Sequence, residues 1–363
     1  MAVESDTTSE ITWERRRPQN PVKPYPYREE EVVYENKTAD IQLGATLTIP
    51  PGNGPFPAVV LITGSGQQDR DESLLGHRPF LVLADYLTRK GIAVLRTDDR
   101  GIGKSGGDFA ASTSADFATD AEAGLAYLKT RSEIDPQKLG LIGHSEGGMI
   151  APMIAAQNKD VAFIVMMAGP GVPGDQLGTA QIEAILEASG KSHEEAENAA
   201  AEAQKIMELA THEKEDAVIK EKLKELAAGK TPEEQRQMED QLLQIIKSPW
   251  LQYFLTYDPA TAITKVKVPV LAINGEKDLQ VLPWQNLPAI RKALEAGGNT
   301  NFELDQLPGL NHLFQTAATG APSEYAEIEE TISPLALEKI SSWILNQTAT
   351  VIKQPVRAPS PLD

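Results

Sequence analysis

Short apolar segments alternate with segments of helical periodicity between residues 58 and 169. The apolar segments are AVVLITG (58–64), IAVLRTDDRG (92–101), KLGLIG (138–143) and VAFIVMMAG (161–169), and the helical ones are PFLVLADYLTRKG (79–91), SADFATDAEAGLAYLKTR (114–131) and GGMIAPMIAAQ (147–157). A strand that carries few polar side chains is buried on both faces, as in a parallel sheet covered by helices. The alternation therefore predicts an α/β fold with a doubly wound, mostly parallel sheet.

Two strands precede this alternating region, and a second α/β region follows it. EVVYEN (31–36) and IQLGATLTIP (41–50) are typical of antiparallel edge strands. Further along, we expect strands at 268–275 and 301–309 and helices at 287–298 and 331–345. Ser333 is the expected N-cap of the last helix, with Pro334 at its first position.

The segment 175–247 interrupts the alternation, with 17 acidic and 9 basic residues and with apolar positions at helical spacing. We interpret it as an inserted helical cap. A long coiled-coil arm is the alternative, but Gly190, Gly229 and Pro232 divide the segment into short helices. The aromatic cluster that follows is expected in the core under the cap, with one or two members lining a pocket: Trp250, Tyr253, Phe254 and Tyr257.

The predicted organisation thus has five parts. They are a proline-rich strap (1–28), the first part of the core (29–170), the helical cap insertion (171–262), the second part of the core (263–347) and a disordered tail (348–363).

Composition excludes several classes of function. A net charge of -18 over 363 residues opposes binding to nucleic acid and to anionic membranes. The absence of cysteine excludes disulfides, thiolate metal sites and a cysteine nucleophile. No apolar segment reaches the roughly 18 residues that span a bilayer, and MAVESDTTSE has no signal-peptide pattern. Nucleic acid and membrane insertion are therefore not expected. The motifs described next make a small molecule the expected partner, and the oligomeric state is left open.

The sequence GHSEG at 143–147 fits the pattern G-x-S-x-G between a predicted strand and a predicted helix. In that context the pattern is typical of a nucleophile elbow, in which Ser145 occupies a strained turn and the glycines allow close packing. An ordinary tight turn is the alternative.

A nucleophilic serine needs a base, and the base needs an orienting acid. The strand that ends at GEKD supplies Asp278, and the strand before GLNH supplies His312. Because parallel strands end at one edge of the sheet, these residues and Ser145 are predicted to converge as a catalytic triad. Asp175 is the alternative acid. The remaining histidines are weaker candidates for the base: His144 should point away from the serine, His193 and His212 lie in the charged cap, and His77 follows no strand.

Backbone N–H groups are expected to bind the oxyanion. The amide of Glu146 is one candidate, and that of Ser65 or Gly66 in the loop GSGQQDRD is the other. No cofactor or metal is predicted. GIGKS lacks the first glycine of a phosphate loop, since position 98 is aspartate. The acidic residues of the neighbouring loops match no Ca²⁺ pattern and are expected to pair within the loops: Asp69, Asp71, Asp98 and Asp99. Asp99 and Arg100 are predicted to tie these loops together.

With these residues in place, the chain resembles the α/β-hydrolase superfamily over residues 30–347. The segments GSGQQDRD, TDDRGIGKS, GHSEGG, SPWLQYFLTYDP and INGEKDLQV resemble the bacterial serine carboxylesterases of the EstD type. The resemblance implies a helical cap, hydrolysis of short-chain carboxylic esters without a cofactor, and a triad of Ser145, Asp278 and His312. The chain has TGSG where other esterases carry an HGGG oxyanion motif. The compartment is not given by the sequence; since many relatives are exported, we expect a soluble protein that is periplasmic or secreted, its signal peptide absent from this chain.

Two alternative functions are open at this stage. A peptidase of the same fold would use the same triad and a cap that recognises a peptide terminus. A non-catalytic binding protein would keep the fold and use its acidic helices as an interaction surface, although it would have no physical need for a complete triad.

Overall fold

The computed structural model describes residues 17–226 and 231–349. The first 16 residues of the predicted strap, Gly229 of the predicted cap and the predicted tail from residue 350 onward lie outside the described residues.

The sheet and its helices follow the alternation expected from the sequence. In chain order they are β1 (Arg28–Asn36), β2 (Ile41–Ile49), β3 (Phe56–Ile62), α1 (Pro79–Arg89), β4 (Ala93–Thr97), α2 (Ser114–Leu128), β5 (Ile134–His144), α3 (Glu146–Ala155), β6 (Val161–Met167), α4 (Gly174–Ala188), α5 (His193–His212), α6 (Asp216–Leu226), α7 (Pro232–Ile246), α8 (Pro249–Thr256), α9 (Ala260–Ile263), β7 (Val270–Gly275), α10 (Pro283–Ala296), β8 (Phe302–Leu307) and α11 (Pro334–Thr348), with a short 3₁₀ helix at Pro322–Glu324.

The strands form one sheet of eight in the order β1-β2-β4-β3-β5-β6-β7-β8. β1 pairs antiparallel with β2, and β2 pairs antiparallel with β4. All the other neighbours are parallel. The predicted mostly parallel sheet with antiparallel edge strands is thus confirmed. Because β3, β5, β6, β7 and β8 run in the same direction, the loops after them lie at one edge of the sheet.

Both faces of the sheet are covered, which explains why its strands are so apolar. Val60 and Leu95 pack on the face that carries α2, α3 and α10. Their neighbours Val59 and Val94 pack on the opposite face against α1 and α11. All four side chains are at most 1% exposed. Alternate residues of a strand point to opposite faces, so a strand in this position needs apolar residues throughout.

The ends of several elements differ from the predicted ones by a few residues. β4 was predicted to reach residue 101 but ends at Thr97, because the next residues, Asp98 and Asp99, leave the sheet and bind loops. α10 begins at Pro283 rather than at 287, with a proline at the first helical turn. α11 has the predicted N-cap: the Ser333 side chain accepts a hydrogen bond from the Leu335 amide, and Pro334 follows.

Six helices, α4 to α9, lie between β6 and β7, and α5 to α8 share an apolar cluster of their own. Ile219, Leu223 and Ile246 are buried in this cluster at 2% exposure or less. The predicted interruptions end or begin helices: α4 ends just before Gly190, and Pro232 opens α7. We propose that α4 to α8 form a cap, and use that name for them below. Within the described residues, every helix is too short or too polar to cross a bilayer.

The described part of the N-terminal segment is bound to the loop before α11. The Gln19 side-chain oxygen accepts hydrogen bonds from the Thr331 and Ile332 amides. The Arg17 guanidinium donates to the carbonyl oxygens of Leu75 and Ile328. These bonds fasten the segment across the surface of the core.

Acidic side chains connect the loops at the carboxyl edge of the sheet. Asp99 accepts hydrogen bonds from the Thr63 hydroxyl (2.9 Å) and the Gln68 amide (2.8 Å). Asp98 is paired with Arg70 at 2.6 Å. Arg100 donates to Asp120 at 2.6 Å. The loop carboxylates therefore have protein partners, as the sequence predicts for this cluster.

The partly buried Asp99 carboxyl predicts a specific dependence of stability on pH. Burial raises its pKa from 3.8 to about 7, with hydrogen bonds from Gln68 and Thr63 opposing the rise and the charges of Glu72 and Glu146 adding to it. The folded state therefore binds this proton more tightly than the unfolded state does. This group contributes stability below about pH 4 that is lost as the pH rises to about 7.

Asp99→Asn removes this titration and keeps an acceptor for the Gln68 amide. We expect the unfolding free energy of the variant, relative to wild type, to rise between about pH 4 and pH 7. Urea unfolding across that range measures it, with Asp240→Asn on the exposed side of α7 as the matched control. A difference from wild type that stays constant across the range would contradict the assignment.

Candidate active site

Ser145 lies at a strained turn between β5 and α3. Its backbone has φ 52° and ψ −118°, a region that is costly for a residue with a side chain. Hydrogen bonds hold the turn on both sides, since the Ser145 amide donates to the Met167 carbonyl at 2.9 Å and its own carbonyl accepts from the Gly148 amide at 2.8 Å. This is the geometry of a nucleophile elbow.

The glycines of the motif are required by close packing. A Cβ atom on Gly147 would lie 2.1 Å from the Ile62 carbonyl oxygen, and one on Gly143 would lie 1.9 Å from the Gly147 carbonyl oxygen. A Cβ atom on Gly64, in the facing loop, would lie 3.2 Å from the Ser145 Cβ atom. An ordinary tight turn has no need for such close approach, so the contacts favour the elbow.

His312 and Asp278 are hydrogen-bonded to each other. The His312 Nδ1 atom lies 3.0 and 2.9 Å from the two carboxylate oxygens of Asp278. Asp278 is 1% exposed and also accepts hydrogen bonds from the Gln280 and Val281 amides, each at 2.9 Å. A carboxylate held in this way fixes the orientation of the imidazole and leaves the other ring nitrogen, Nε2, free to act.

Ser145 and His312 line the same cavity, which has a volume of about 310 Å³. Leu177 of α4 and Trp250 and Phe254 of α8 also line it. The cavity therefore lies between the carboxyl edge of the sheet and the cap. The structure thus brings Ser145 and His312 to one cavity, with Asp278 directly behind the histidine.

The aromatic cluster divides into two stacked pairs. The rings of Trp250 and Phe254 are stacked with centroids 5.3 Å apart, and both side chains line the cavity. Tyr253 and Tyr257 form the other stack, at 5.4 Å. The expectation that one or two of these aromatics line a pocket is therefore confirmed.

The structure also distinguishes among the candidate oxyanion donors. Glu146 is the first residue of α3, and the first amides of a helix have no acceptor within it. The Gly64 amide is committed to Glu72 at 2.8 Å. Ser65 lines the cavity. Gly66 follows it with φ 94°, and both residues are exposed. Of the two loop candidates, the lining of the cavity therefore favours Ser65.

The side chain of Glu146 connects the elbow to the cap. It is 2% exposed, and it accepts hydrogen bonds from the Ser114 hydroxyl (2.6 Å) and the Trp250 indole N–H (2.8 Å). Burial raises the pKa of this carboxyl, while the bonds from Ser114, Trp250 and Ser65 oppose the rise. No feature of the sequence pairs Glu146 with Trp250, which lies 104 positions away.

Two further residues of the site were not selected from the sequence. Glu72 lines the cavity and its Oε1 atom accepts from the Gly64 amide. The same oxygen lies 2.9 Å from Nδ1 of His144, whose Nε2 atom lies 3.1 Å from the His312 carbonyl oxygen. Both ring nitrogens of His144 thus have partners, and the residue is a neighbour of the loop that carries His312. An acidic residue inside the loop GSGQQDRDE was the one available signal.

The alternative acid and the other histidines lie elsewhere. Asp175 is exposed in the first turn of α4. His77 is buried and bonded to the Thr331 hydroxyl and the Tyr325 carbonyl. His193 is exposed on the cap, where it forms with Glu183 and Glu187 the one group among the described residues whose three metal-ligating atoms lie within 4.8 Å of one another.

Comparison with protein families places the chain among hydrolases. The model of the X-Pro dipeptidyl-peptidase (S15 family) matches residues 39–306. That span includes Ser145 and Asp278 and ends before His312. Among curated proteins, the chain is 28% identical over 317 residues to esterase EstD of Thermotoga maritima, in an alignment that covers 86% of this chain and 68% of the esterase.

Solved structures show the same fold at low sequence identity. The Pyrococcus furiosus esterase PF2001 has a TM-score of 0.54 at 17% identity, covering 92% of this chain and 97% of the esterase. The α/β-hydrolase GrgF of Penicillium sp. sh18 has a TM-score of 0.57 at 16% identity, and the superposition covers 89% of this chain and 100% of GrgF. The chain thus has the α/β-hydrolase fold.

The contact at Gly147 gives a direct test of the elbow. We expect Gly147→Ala to push α3 away from β3, lower the unfolding free energy by roughly 1–3 kcal/mol and reduce hydrolase activity about 10²-fold through misplacement of Ser145. Urea unfolding and ester assays measure the two effects. Gly106→Ala is the matched control, since the nearest atom to its added Cβ is 3.7 Å away. Equal behaviour of the two variants would contradict the packing argument.

Proposed function

The chain belongs to the X-Pro dipeptidyl-peptidase (S15) family of hydrolases, and within it we propose a serine carboxylesterase that cleaves short-chain esters through an acyl-enzyme on Ser145. The observation that carries the proposal is the strained Ser145 facing one cavity with His312, whose ring is held by the buried Asp278. A relative named as an esterase, EstD, supports the same class of substrate.

In the proposed reaction His312 acts as the general base. Its Nε2 atom takes the proton of the Ser145 hydroxyl as the serine oxygen attacks the ester carbonyl carbon. The imidazolium that forms is stabilised by Asp278, which binds Nδ1 at 2.9 Å. Because Asp278 is also bound by two backbone amides, it remains an acceptor and holds the ring in one tautomer.

The carbonyl oxygen becomes negatively charged in the tetrahedral intermediate. We assign its stabilisation to the amides of Glu146 and Ser65, aided by the positive end of α3. His312 then gives its proton to the leaving alcohol, and the ester C–O bond breaks to leave an acyl group on Ser145. Water attacks this acyl group, with His312 again as base. The bond from the acyl carbon to the serine oxygen then breaks, His312 returns the proton to Ser145, and the carboxylic acid leaves.

The charges around the cavity favour a neutral ester over a peptide with a free amino terminus. A buried ammonium group needs an anionic partner. Among the described residues that line the cavity, Glu72 is the one acidic side chain. Its Oε1 atom is bound by Gly64 and His144, and its Oε2 atom is enclosed in the protein. No carboxylate is thus available to an ammonium group without rearrangement.

The size of the cavity supports a small substrate. Its volume of about 310 Å³ lies at the lower end of the roughly 300–1,000 Å³ that is usual for small-molecule pockets. Part of its wall comes from the cap, including Leu177. We therefore assign the limit on acyl-chain length to the cap.

A comparison of esters with dipeptide amides tests the proposed function. We expect wild type to hydrolyse p-nitrophenyl butyrate with a kcat/KM well above that for glycyl-prolyl-p-nitroanilide. Ser145→Ala is expected to lower ester hydrolysis by at least about 10³-fold. Circular dichroism and thermal unfolding serve as the control that the variant is folded.

Either of two results would contradict the proposal. A higher kcat/KM for the dipeptide anilide would assign the protein to the peptidases. Unchanged ester hydrolysis by a folded Ser145→Ala variant would remove Ser145 from the reaction.

The assignment of chain length to the cap makes a separate prediction. Leu177→Ala enlarges the cavity, so we expect the preferred acyl chain to lengthen, with about a fourfold gain in kcat/KM for each further methylene that becomes buried. A series of p-nitrophenyl esters from acetate to decanoate measures the preference. Leu223→Ala, which empties the apolar cluster inside the cap, is the matched control. An equal change of preference in both variants would contradict the assignment.

A further inference from the structure

We propose that Glu72 and His144 form a second carboxylate–histidine pair, which positions the three loops that carry the reaction. This inference rests on the proposed function, because the loops concerned are those of the oxyanion donors, the nucleophile and the base. Neither residue is assigned a step in the chemistry. Both are positioning residues that act on the catalytic groups through their backbone.

The contacts of the pair reach all three loops. Glu72 Oε1 accepts from the Gly64 amide at 2.8 Å, at the start of the loop that carries Ser65. His144 immediately precedes Ser145 on the elbow. Its Nε2 atom lies 3.1 Å from the backbone carbonyl oxygen of His312, and its ring lies 4.9 Å from the His312 ring. A single buried pair thus connects loops that are distant in sequence.

The partners of His144 decide which protons its ring carries. The Glu72 carboxylate and the His312 carbonyl both accept hydrogen bonds, so the ring must donate from Nδ1 and from Nε2 together. Only the imidazolium form does so. Burial lowers the pKa of His144, but the charge and hydrogen bond of Glu72, the His312 carbonyl and the charge of Asp278 outweigh it and raise the pKa above its usual value.

Glu72 is held in a conformation that needs an explanation. Its backbone φ is 53°, in the left-handed region that costs energy for a glutamate. Its side chain is 7% exposed, and within the described structure its Oε2 atom is buried with no hydrogen-bond partner. A buried, strained carboxylate is unfavourable for stability alone. The hydrogen bonds of Glu72 to Gly64 and to His144 offset part of this cost, and both partners belong to loops of the site.

The Glu72–His144 pair differs from the Asp278–His312 pair in what the second ring nitrogen of the histidine contacts. His312 uses Nδ1 for its carboxylate and has Nε2 left for the proposed reaction, whereas the Nε2 atom of His144 lies against a backbone carbonyl. His144 therefore has no free nitrogen with which to accept a proton from a substrate. Its effect on the reaction is the position of the His312 backbone and, through the shared chain at residue 145, of the nucleophile.

Three conservative variants test the hydrogen bonds of the pair one at a time. In His144→Asn the amide nitrogen replaces Nδ1 and keeps the bond to Glu72. In His144→Gln it replaces Nε2 and keeps the bond to the His312 carbonyl. Glu72→Gln keeps the shape and the bond to Gly64 but removes the charge. Thr88→Val is the matched control, since it breaks a buried hydrogen bond between Thr48 and Thr88, a pair that does not line the cavity.

We expect each of the three variants to lower kcat for p-nitrophenyl butyrate about 10- to 100-fold, with KM changed less than about twofold. His144→Ala should lose more than either His144→Asn or His144→Gln, because each of those retains one bond. Thr88→Val should lose stability and keep the wild-type kcat. Wild-type kcat in folded Glu72→Gln and His144→Gln, or an equal loss in Thr88→Val, would overturn the proposal.

Nitrogen-15 NMR of the histidine side chains gives a readout that does not depend on activity. At pH 6.5, the ordinary pKa of a histidine, we expect both His144 ring nitrogens to carry protons in wild type, and the His312 ring resonances to shift in Glu72→Gln. A neutral His144 ring in wild type, or an unmoved His312 in Glu72→Gln, would overturn the pair. If wild type hydrolyses no ester while these NMR results hold, the proposed function fails and the pair stands.

Discussion

The close contact between α3 and β3 is the constraint on which the site depends. A hydrogen atom is all that fits on Gly147, because a Cβ atom would lie 2.1 Å from the Ile62 carbonyl oxygen. α3 can therefore begin directly beside the neighbouring strand, and the chain must turn within one residue, Ser145, at φ 52°. That strained turn places the serine at the cavity, directly before the first residue of α3. The parallel strands then bring the loops of Asp278 and His312 to the same edge.

The surroundings of the turn explain how a strained residue is maintained. The Glu146 side chain is bound by Ser114 of α2 and by Trp250 of the cap, while Asp99 binds the loop after β3 through Thr63 and Gln68. Each of these carboxylates is largely buried, which is unfavourable unless donors surround it. Their bonds couple the elbow to the sheet edge and to the cap. In our account the cap therefore closes the cavity and also takes part in holding the nucleophile.

Much of the fold could be predicted from the sequence because strands buried on both faces must be apolar throughout. The G-x-S-x-G pattern and the loops after later strands predict that Ser145, Asp278 and His312 meet at one edge of the sheet, since parallel topology fixes where such loops meet. The structure places them there. Contacts between side chains that are distant in the sequence could not be predicted in this way. Nothing local pairs Glu146 with Trp250 or Glu72 with His144, because those pairs form only when separate loops converge. The end of β4 at Thr97 was missed for a similar reason: Asp98 and Asp99 leave the sheet to bind partners in other loops.

The central claim is that His312 and Asp278 activate Ser145 within this fold. The most direct measurement is the intact mass of the protein after reaction with a small fluorophosphonate, for wild type and for Ser145→Ala and His312→Ala variants. The account predicts a single adduct on wild type, mapped to Ser145 by peptide mass, no adduct on Ser145→Ala, and labelling of His312→Ala slowed at least about 10²-fold. A folded wild-type protein that forms no adduct, or one labelled at another residue, would contradict the account.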